Sequence, residues 1–253
     1  MTPYKIHIVQ YASRMASTSQ ILLGDLHNDP MPMTYYVWAI TNDEHTVVVD
    51  LGFTHEMAKK RKREMICNPT EGLAKVGIDA DKVEHVIVTH LHWDHVGNYD
   101  RFPKAQFYVQ ESELAFCTGR HVKYPVFQQA LEGEDIAAVV KLLYDGRVNL
   151  LEGSRQLLPG ITVHKVGGHT AGMQIVEVET ARGTAVIASD AAHFYRNMRE
   201  MTPFPILHDV PGMLDGFMLM QRLAVCEDFI LPGHDPEVLD RHPLVTDGVA
   251  LLE

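Results

Sequence analysis

Residues 4–10 (YKIHIVQ) alternate apolar and polar side chains with a period of two, which predicts an opening strand. Residues 24–32, rich in Gly, Asp, Asn and Pro, predict a loop. Two further strand-like runs, 35–40 and 46–50, are joined by a turn at 41–44. The charged stretch 54–63 and the segment 71–76 predict helices, with a break and an N-cap supplied by Cys67-Asn68-Pro69-Thr70 between them. Residues 83–89 (VEHVIVT) are mostly β-branched and apolar, the pattern of a strand covered on both faces. The second half continues the alternation. Strands are expected at 106–109, 161–166, 174–178, 185–188 and 228–231, and helices at 111–117, 126–143 and 213–225.

Strands and helices mixed in this way, with several strand pairs joined by tight turns, predict two mixed sheets packed together with helices outside, an α/β (α+β) architecture. No Ser/Gly-rich linker, low-complexity tract or short-period repeat interrupts the chain, so residues 1–253 read as one domain.

Composition narrows the function. The chain has 253 residues, 46% of them hydrophobic and 22% charged, enough to bury a core and to exclude intrinsic disorder. It carries 33 acidic against 22 basic residues, a formal charge of -11, which argues against nucleic acid as a partner. Three scattered cysteines, Cys67, Cys117 and Cys226, indicate no disulfide framework. No apolar run reaches membrane-spanning length, and the first residues lack the apolar core of a signal peptide. A cytoplasmic protein that acts on a small-molecule substrate, with no nucleic-acid or membrane partner, is the expectation. Homodimer formation is compatible with it.

Histidine is out of line, with 15 copies. Three of them, with an aspartate, fall in the window His90-Leu91-His92-Trp93-Asp94-His95, immediately after the expected buried strand. Neutral imidazoles and a hard carboxylate oxygen suit Zn²⁺, with Mn²⁺, Fe²⁺ or Co²⁺ as substitutes. Four ligands so close together do not close one tetrahedron easily, so two ions are expected, and two ions need further ligands. His169, Asp190 and His234 each follow a later expected strand, with Gly or Ser just before them.

THLHWDHVGN resembles the signature of the metallo-β-lactamase fold superfamily, and GGHTAG, the Asp of ASDAAH and LPGHD follow in that family's order. Within the superfamily, LAKVGIDADKVEHVIVTHLHWDHVGN, VQESEL and GHDP are most similar to the N-acyl homoserine lactonases. The resemblance implies a four-layer αβ/βα sandwich with a dinuclear zinc site at one edge. It implies that His90, His92 and His169 hold one zinc, that Asp94, His95 and His234 hold the other, and that Asp190 bridges them. His92 counts against the redox branch, which resembles this one but uses Glu at that position. The bridging Asp190 counts against the true β-lactamases, which lack it.

Two Zn²⁺, two carboxylates and a bridging hydroxide leave a charge of +1, suited to generating a nucleophile and to stabilising an anionic tetrahedral intermediate. The expected activity is opening of a small lactone, an N-acyl homoserine lactone or a relative, by attack of that hydroxide on the carbonyl. The alternatives are hydrolysis of another small ester, amide or thioester, or an inactive metal-stabilised binding protein. Asp94 and Asp190 are the expected catalytic carboxylates. One departure stands out: where the lactonases carry a Tyr three residues after the bridging Asp, this chain has His193, expected to donate a hydrogen bond or proton in its place. Tyr195 is expected to point the same way as His193. Met31, Met33, Tyr35, Tyr36, Phe194, Met198, Met201, Phe204 and Phe217 are candidates for an apolar acyl pocket, with Met33, Tyr35, Phe194 and Tyr195 as substrate contacts. Lys59–Arg63, the only basic cluster, reads as a solvated helix face.

Overall fold

The computed structural model describes residues 2–253. In chain order the first sheet receives β1 (Lys5–Ser17), β2 (Pro30–Thr41), β3 (Thr46–Val49), β4 (Glu64–Met65), β5 (His85–Ile87), β6 (Gln106–Gln110) and β7 (Val148–Leu151). The second is built from β8 (Arg155–Leu158), β9 (Ile161–Lys165), β10 (Gln174–Thr180), β11 (Gly183–Ser189) and β12 (Ile230–Pro232). The chain then returns to the first sheet with β13 (Leu244–Thr246) and β14 (Val249–Leu252). The strand orders are β13-β14-β1-β2-β3-β5-β6-β7, with β4 on β1, and β12-β11-β10-β9-β8. Both sheets are mixed. β3, β5, β6 and β7 run parallel to one another, and β11 pairs parallel with β12.

Side-chain parity explains the layers. On β2, Tyr36, Trp38 and Ile40 face the second sheet, meeting Val163, Ile175 and Ile187, while Tyr35, Val37 and Ala39 face the opposite way. The outward face is covered by α2 (His55–Arg61), α3 (Pro69–Ala74), α4 (Glu111–Cys117) and α6 (Gly133–Tyr144), which follow α1 (Thr18–Ile21) and flank α5 (Pro125–Gln128) in the chain. The helices of the second half are α7 (Tyr195–Arg199), α8 (Val210–Leu223) and α9 (Glu237–Arg241). Met213, Phe217 and Met220 of α8 close the second sheet. Val86 and Val88 point outward and Ile87 inward, so the strand at 83–89 is covered on both faces. This is the expected αβ/βα sandwich.

Several boundaries differ from expectation for local reasons. The expected helix 126–143 is two helices, because the Glu132 carboxylate is drawn to Lys60 and Arg61 and Gly133 follows it. The strand expected at 228–231 opens as a 3₁₀ turn over Glu227–Phe229. β1 runs on to Ser17 because a bulge between Gln10 and Ala12 shifts its register against β2, and β2 starts inside the expected loop, at Pro30. The short strands β4, β7, β8, β13 and β14 carry too little alternation to announce themselves. No helix of the described residues is long and apolar enough to cross a membrane.

Candidate metal centre

The side chains singled out in sequence meet at one end of the sandwich, where β3, β5, β9, β11 and β12 finish. His90, His92 and His169 bring one nitrogen each to a common point, and Asp94, His95 and His234 converge likewise beside it. Asp190 lies between. Its Oδ2 is 3.9 Å from His90 Nε2 and 3.4 Å from His169 Nε2, and its Oδ1 is 3.5 Å from His95 Nε2 and 3.2 Å from His234 Nε2. All seven are buried.

Four of the five imidazoles have their outer nitrogen beside a partner in the fold, which turns the inner nitrogen toward the shared space. His169 Nδ1–H donates to the Ile206 carbonyl at 2.7 Å, and His234 Nδ1–H to the Thr34 carbonyl at 2.8 Å. His95 Nδ1–H donates to Asp50 Oδ2 at 2.8 Å. His90 Nδ1 lies 3.1 Å from the Thr89 hydroxyl, whose own proton goes to Asp50. His92 is turned the other way, its Nδ1 facing His169 Nε2 at 2.9 Å.

Asp50 organises much of this and was not singled out in sequence, where it appears only within a strand-turn. It accepts from the Thr89 amide, the Thr89 hydroxyl and the Ser189 hydroxyl as well as from His95. Asp50 and Ser189 are both non-glycine residues with positive φ, 60° and 45°, a conformation that costs about 1–2 kcal/mol per residue and that the shared network offsets. Gly233 is required beside them, since a Cβ there would strike Asp190 Oδ1. A second missed residue is Glu113 on α4. Its buried carboxylate accepts from the Leu91 and Gly172 amides at 3.0 and 2.8 Å, stapling the 90–95 turn to the loop that carries His169. Burial pushes its pKa up against the pull of those amides.

The donors fit a pair of divalent ions. His90 Nε2, His95 Nε2 and Asp190 Oδ1 are buried with no hydrogen-bond partner, an arrangement that is costly unless a cation lies between them. Burial, reinforced by the neighbouring imidazoles, holds the His90 pKa well below the usual range, and burial followed by His169 does the same for His92. Both rings are therefore neutral, the form that can ligate a metal. Burial lowers His95 too, but Asp190, Asp50 and Asp94 outweigh it and hold that ring's pKa high.

His193 donates from Nε2 to Asp190 Oδ2 at 2.9 Å and lies flat on Phe204, ring centres 3.4 Å apart. Its Nδ1 is buried without a partner. Burial pushes its pKa down to about 3, so it is a neutral hydrogen-bond donor. Tyr195 does not accompany it. The chain turns into α7 at Tyr195, which ends the strand-like alternation, and its ring lies 3.9 Å from the Arg241 guanidinium instead.

The expected acyl pocket is dispersed as well. Tyr36, Met198 and Phe217 belong to the large core around the second sheet, Phe217 from α8, Met201 is exposed, and Phe204 is the stacking partner of His193. Met33 and Phe194 form a small cluster with Ile21 and Leu22, against which Met31 packs. Tyr35 sets its ring edge-on to His234, centres 4.9 Å apart. The apolar opening that does reach the metal centre is a narrow slot of about 30 Å³ on the opposite side, running from His92 and His169 between Phe116, Phe127 and Ile206. Spacing along the chain gave no hint of it, because five separated segments build it.

Residues 31–243 match the metallo-beta-lactamase superfamily model. The chain belongs to that superfamily. An N-acyl homoserine lactonase of Agrobacterium fabrum, AiiB, is 29% identical over 191 residues, covering 72% of this chain and 67% of its own. The N-acyl homoserine lactonase AiiA of Bacillus thuringiensis subsp. kurstaki is 26% identical over 166 residues, 65% of this chain, and the aligned part spans only 61% of that relative's length. A solved N-acyl homoserine lactone hydrolase with the product N-hexanoyl-L-homoserine bound at its catalytic metal center superposes with a TM-score of 0.75. It covers 97% of this chain and 98% of its own, at 18% identity.

Proposed function

We propose that this superfamily member is a dinuclear zinc hydrolase that opens small lactones, N-acyl homoserine lactones or a related ring. The observation that carries this reading is the pair of buried three-residue donor sets joined by one carboxylate, Asp190. His90, His92 and His169 would hold one ion, Asp94, His95 and His234 the other, with Asp190 shared. Bound there, zinc supplies Lewis-acid polarisation of an ester carbonyl and activation of a water at neutral pH. The names of the three relatives described above, each a homoserine lactonase or lactone hydrolase, favour an ester in a ring over an amide.

The protein's own groups do the rest. Asp50 and Glu113 hold the ligand-bearing turns in place through buried hydrogen bonds. His193 presents its Nε2–H beside Asp190, where it would hydrogen-bond the substrate carbonyl or the leaving oxygen. Phe204, flat against the His193 ring, fixes that orientation. The slot between Phe116, Phe127 and Ile206 would take an apolar arm of the substrate.

The deciding experiment is a pH-indicator screen of the metal-loaded protein against lactones of graded acyl length, aryl esters and β-lactams. Ring opening releases a proton, and lactones should be turned over fastest, with about two metal ions per chain. Faster turnover of aryl esters or β-lactams, or full activity of Asp190→Asn, would refute the assignment.

A further inference from the structure

In the basic run that ends α2, Lys59, Lys60 and Lys62 are exposed as a solvated face, but Arg61 and Arg63 are not. Lys62 adopts a left-handed conformation, φ 55°, which reverses the chain and turns Arg61 and Arg63 inward over the Trp93 ring, their guanidinium carbons 4.9 and 5.4 Å from its centre. Trp93 sits between the expected ligands His92 and Asp94. Arg61 is neutralised there by Glu132. Arg63 is not: its Nε donates to the Tyr35 hydroxyl at 2.7 Å, and that residue's ring lies against His234.

A second guanidinium reaches the same place from β1. Arg14 is half-buried, donates from Nε to the Met33 sulfur at 3.1 Å and from Nη1 to Gln20, and approaches the Tyr35 hydroxyl. Burial, and after it the like charge of Arg63, lower its pKa, with Tyr35 and Asp94 pulling the other way. A thioether is a weak acceptor and a phenol is neutral at physiological pH. Among the described residues neither Arg14 nor Arg63 makes an ion pair, and neither Nη2 has an acceptor. Two like charges are thus held together, partly desolvated, at the His234 edge of the metal centre. That juxtaposition carries a repulsion that an anion between them would relieve.

We infer that Arg14 and Arg63, braced on Tyr35 and Trp93, form a subsite for a carboxylate of the substrate, so that the preferred lactone carries an anionic group on the side of its ring facing His234. The inference rests on the lactonase reading for its substrate class. Guanidinium groups suit a carboxylate because their paired N–H groups match its two oxygens. The subsite lies on the His234 side of the candidate metal centre, and the slot on the His92 and His169 side.

The test compares 5-oxotetrahydrofuran-2-carboxylate with its neutral carboxamide as substrates of the zinc-loaded full chain. The wild type should prefer the carboxylate in kcat/KM by about tenfold or more, through KM, and the preference should shrink as salt rises. Arg63→Met and Arg14→Met should each collapse that ratio. A positioning role through Tyr35 alone would lower both substrates together and leave the ratio intact, which would overturn the inference, as would a wild type without preference. A second arm needs no turnover. Trp93 fluorescence titrated with glutarate, against glutaramide, should report binding that Arg63→Met weakens about tenfold, and equal binding of the two would again overturn it. If neither lactone is hydrolysed yet glutarate binds through Arg63, the lactonase reading fails and the anion subsite stands.

Discussion

The Asp50 carboxylate accepts the Nδ1 proton of His95 at 2.8 Å, across 45 positions of sequence, and so fixes which nitrogen of that ring faces Asp190. The same carboxylate takes the Ser189 hydroxyl, and Ser189 immediately precedes Asp190. One buried side chain therefore registers the end of β3 against the 90–95 turn and the end of β11. This is the kind of support that sets the basicity and direction of a ligand ring.

Asp50→Asn tests that role. A carboxamide offers one acceptor oxygen where the carboxylate offers two, and its NH₂ faces hydroxyl and imidazole donors. Affinity for the ion at Asp94, His95 and His234 should fall by about 10- to 100-fold, the range found when such supports are removed. Chelator competition with metal analysis measures it. Unaltered affinity would make Asp50 a packing residue.

The convergence of these seven side chains is largely legible in the sequence, and the reason is physical. His90, His92, Asp94 and His95 share one turn, and His169, Asp190 and His234 each follow a strand, so local order alone announces them. Asp50 and Glu113 were not readable as supports, because their partners are backbone amides and side chains brought close only by folding. The side chains of Arg61 and Arg63 could not be placed either, since the left-handed Lys62 that redirects them is not a glycine. Tyr195 misled because alternation persists only while the chain stays extended, and α7 begins there. The Met and aromatic positions misled for a related reason: their periodicity says that they are buried but not against what.

Metal removal should cost the fold heavily. The seven convergent donors include orphaned buried atoms whose desolvation an ion would offset. An ion present at a thousand times its dissociation constant stabilises the native state by about 4 kcal/mol, or about 8–16 °C in Tm for a domain of this size. Thermal unfolding with and without chelator should show a drop of at least that order. A Tm indifferent to chelator would contradict a bound metal pair.

Asp135 provides a pH test far from the chemistry. Burial first, then the charges of Glu132 and Glu134, push its carboxyl up to about 6, and its Oδ2 is buried without a partner. Below about pH 4 the group is protonated in both folded and unfolded chains and costs nothing. As pH rises to about 6 the unfolded chain ionises first, and that part of the stability is lost. Asp135→Asn should therefore stabilise the protein at pH 8 by about 1 kcal/mol, after discounting for partial solvent screening, and leave it nearly unchanged at pH 4. Denaturant midpoints at the two pH values decide the matter, and equal shifts at both would remove the electrostatic explanation.

His193→Phe separates packing from chemistry at the position three residues after Asp190. The parallel stack on Phe204 is a contact that a phenyl ring keeps, whereas the Nε2–H held on Asp190 is lost. The fold should survive because the ring is replaced by one of similar shape, and metal content should survive if the ions sit in the His90-His92-His169 and Asp94-His95-His234 sets; loss of an ion would instead assign His193 to the donor set it forms with His169 and Asp190. If the N–H serves the developing oxyanion or leaving oxygen, kcat for lactones should fall by about 100-fold with a smaller change in KM, the scale of losing one well-placed donor. If His193 only packs, kcat should hold while Tm rises, because a buried Nδ1 without a partner has been removed. Measuring kcat, Tm and zinc stoichiometry on the same preparation tells the two apart.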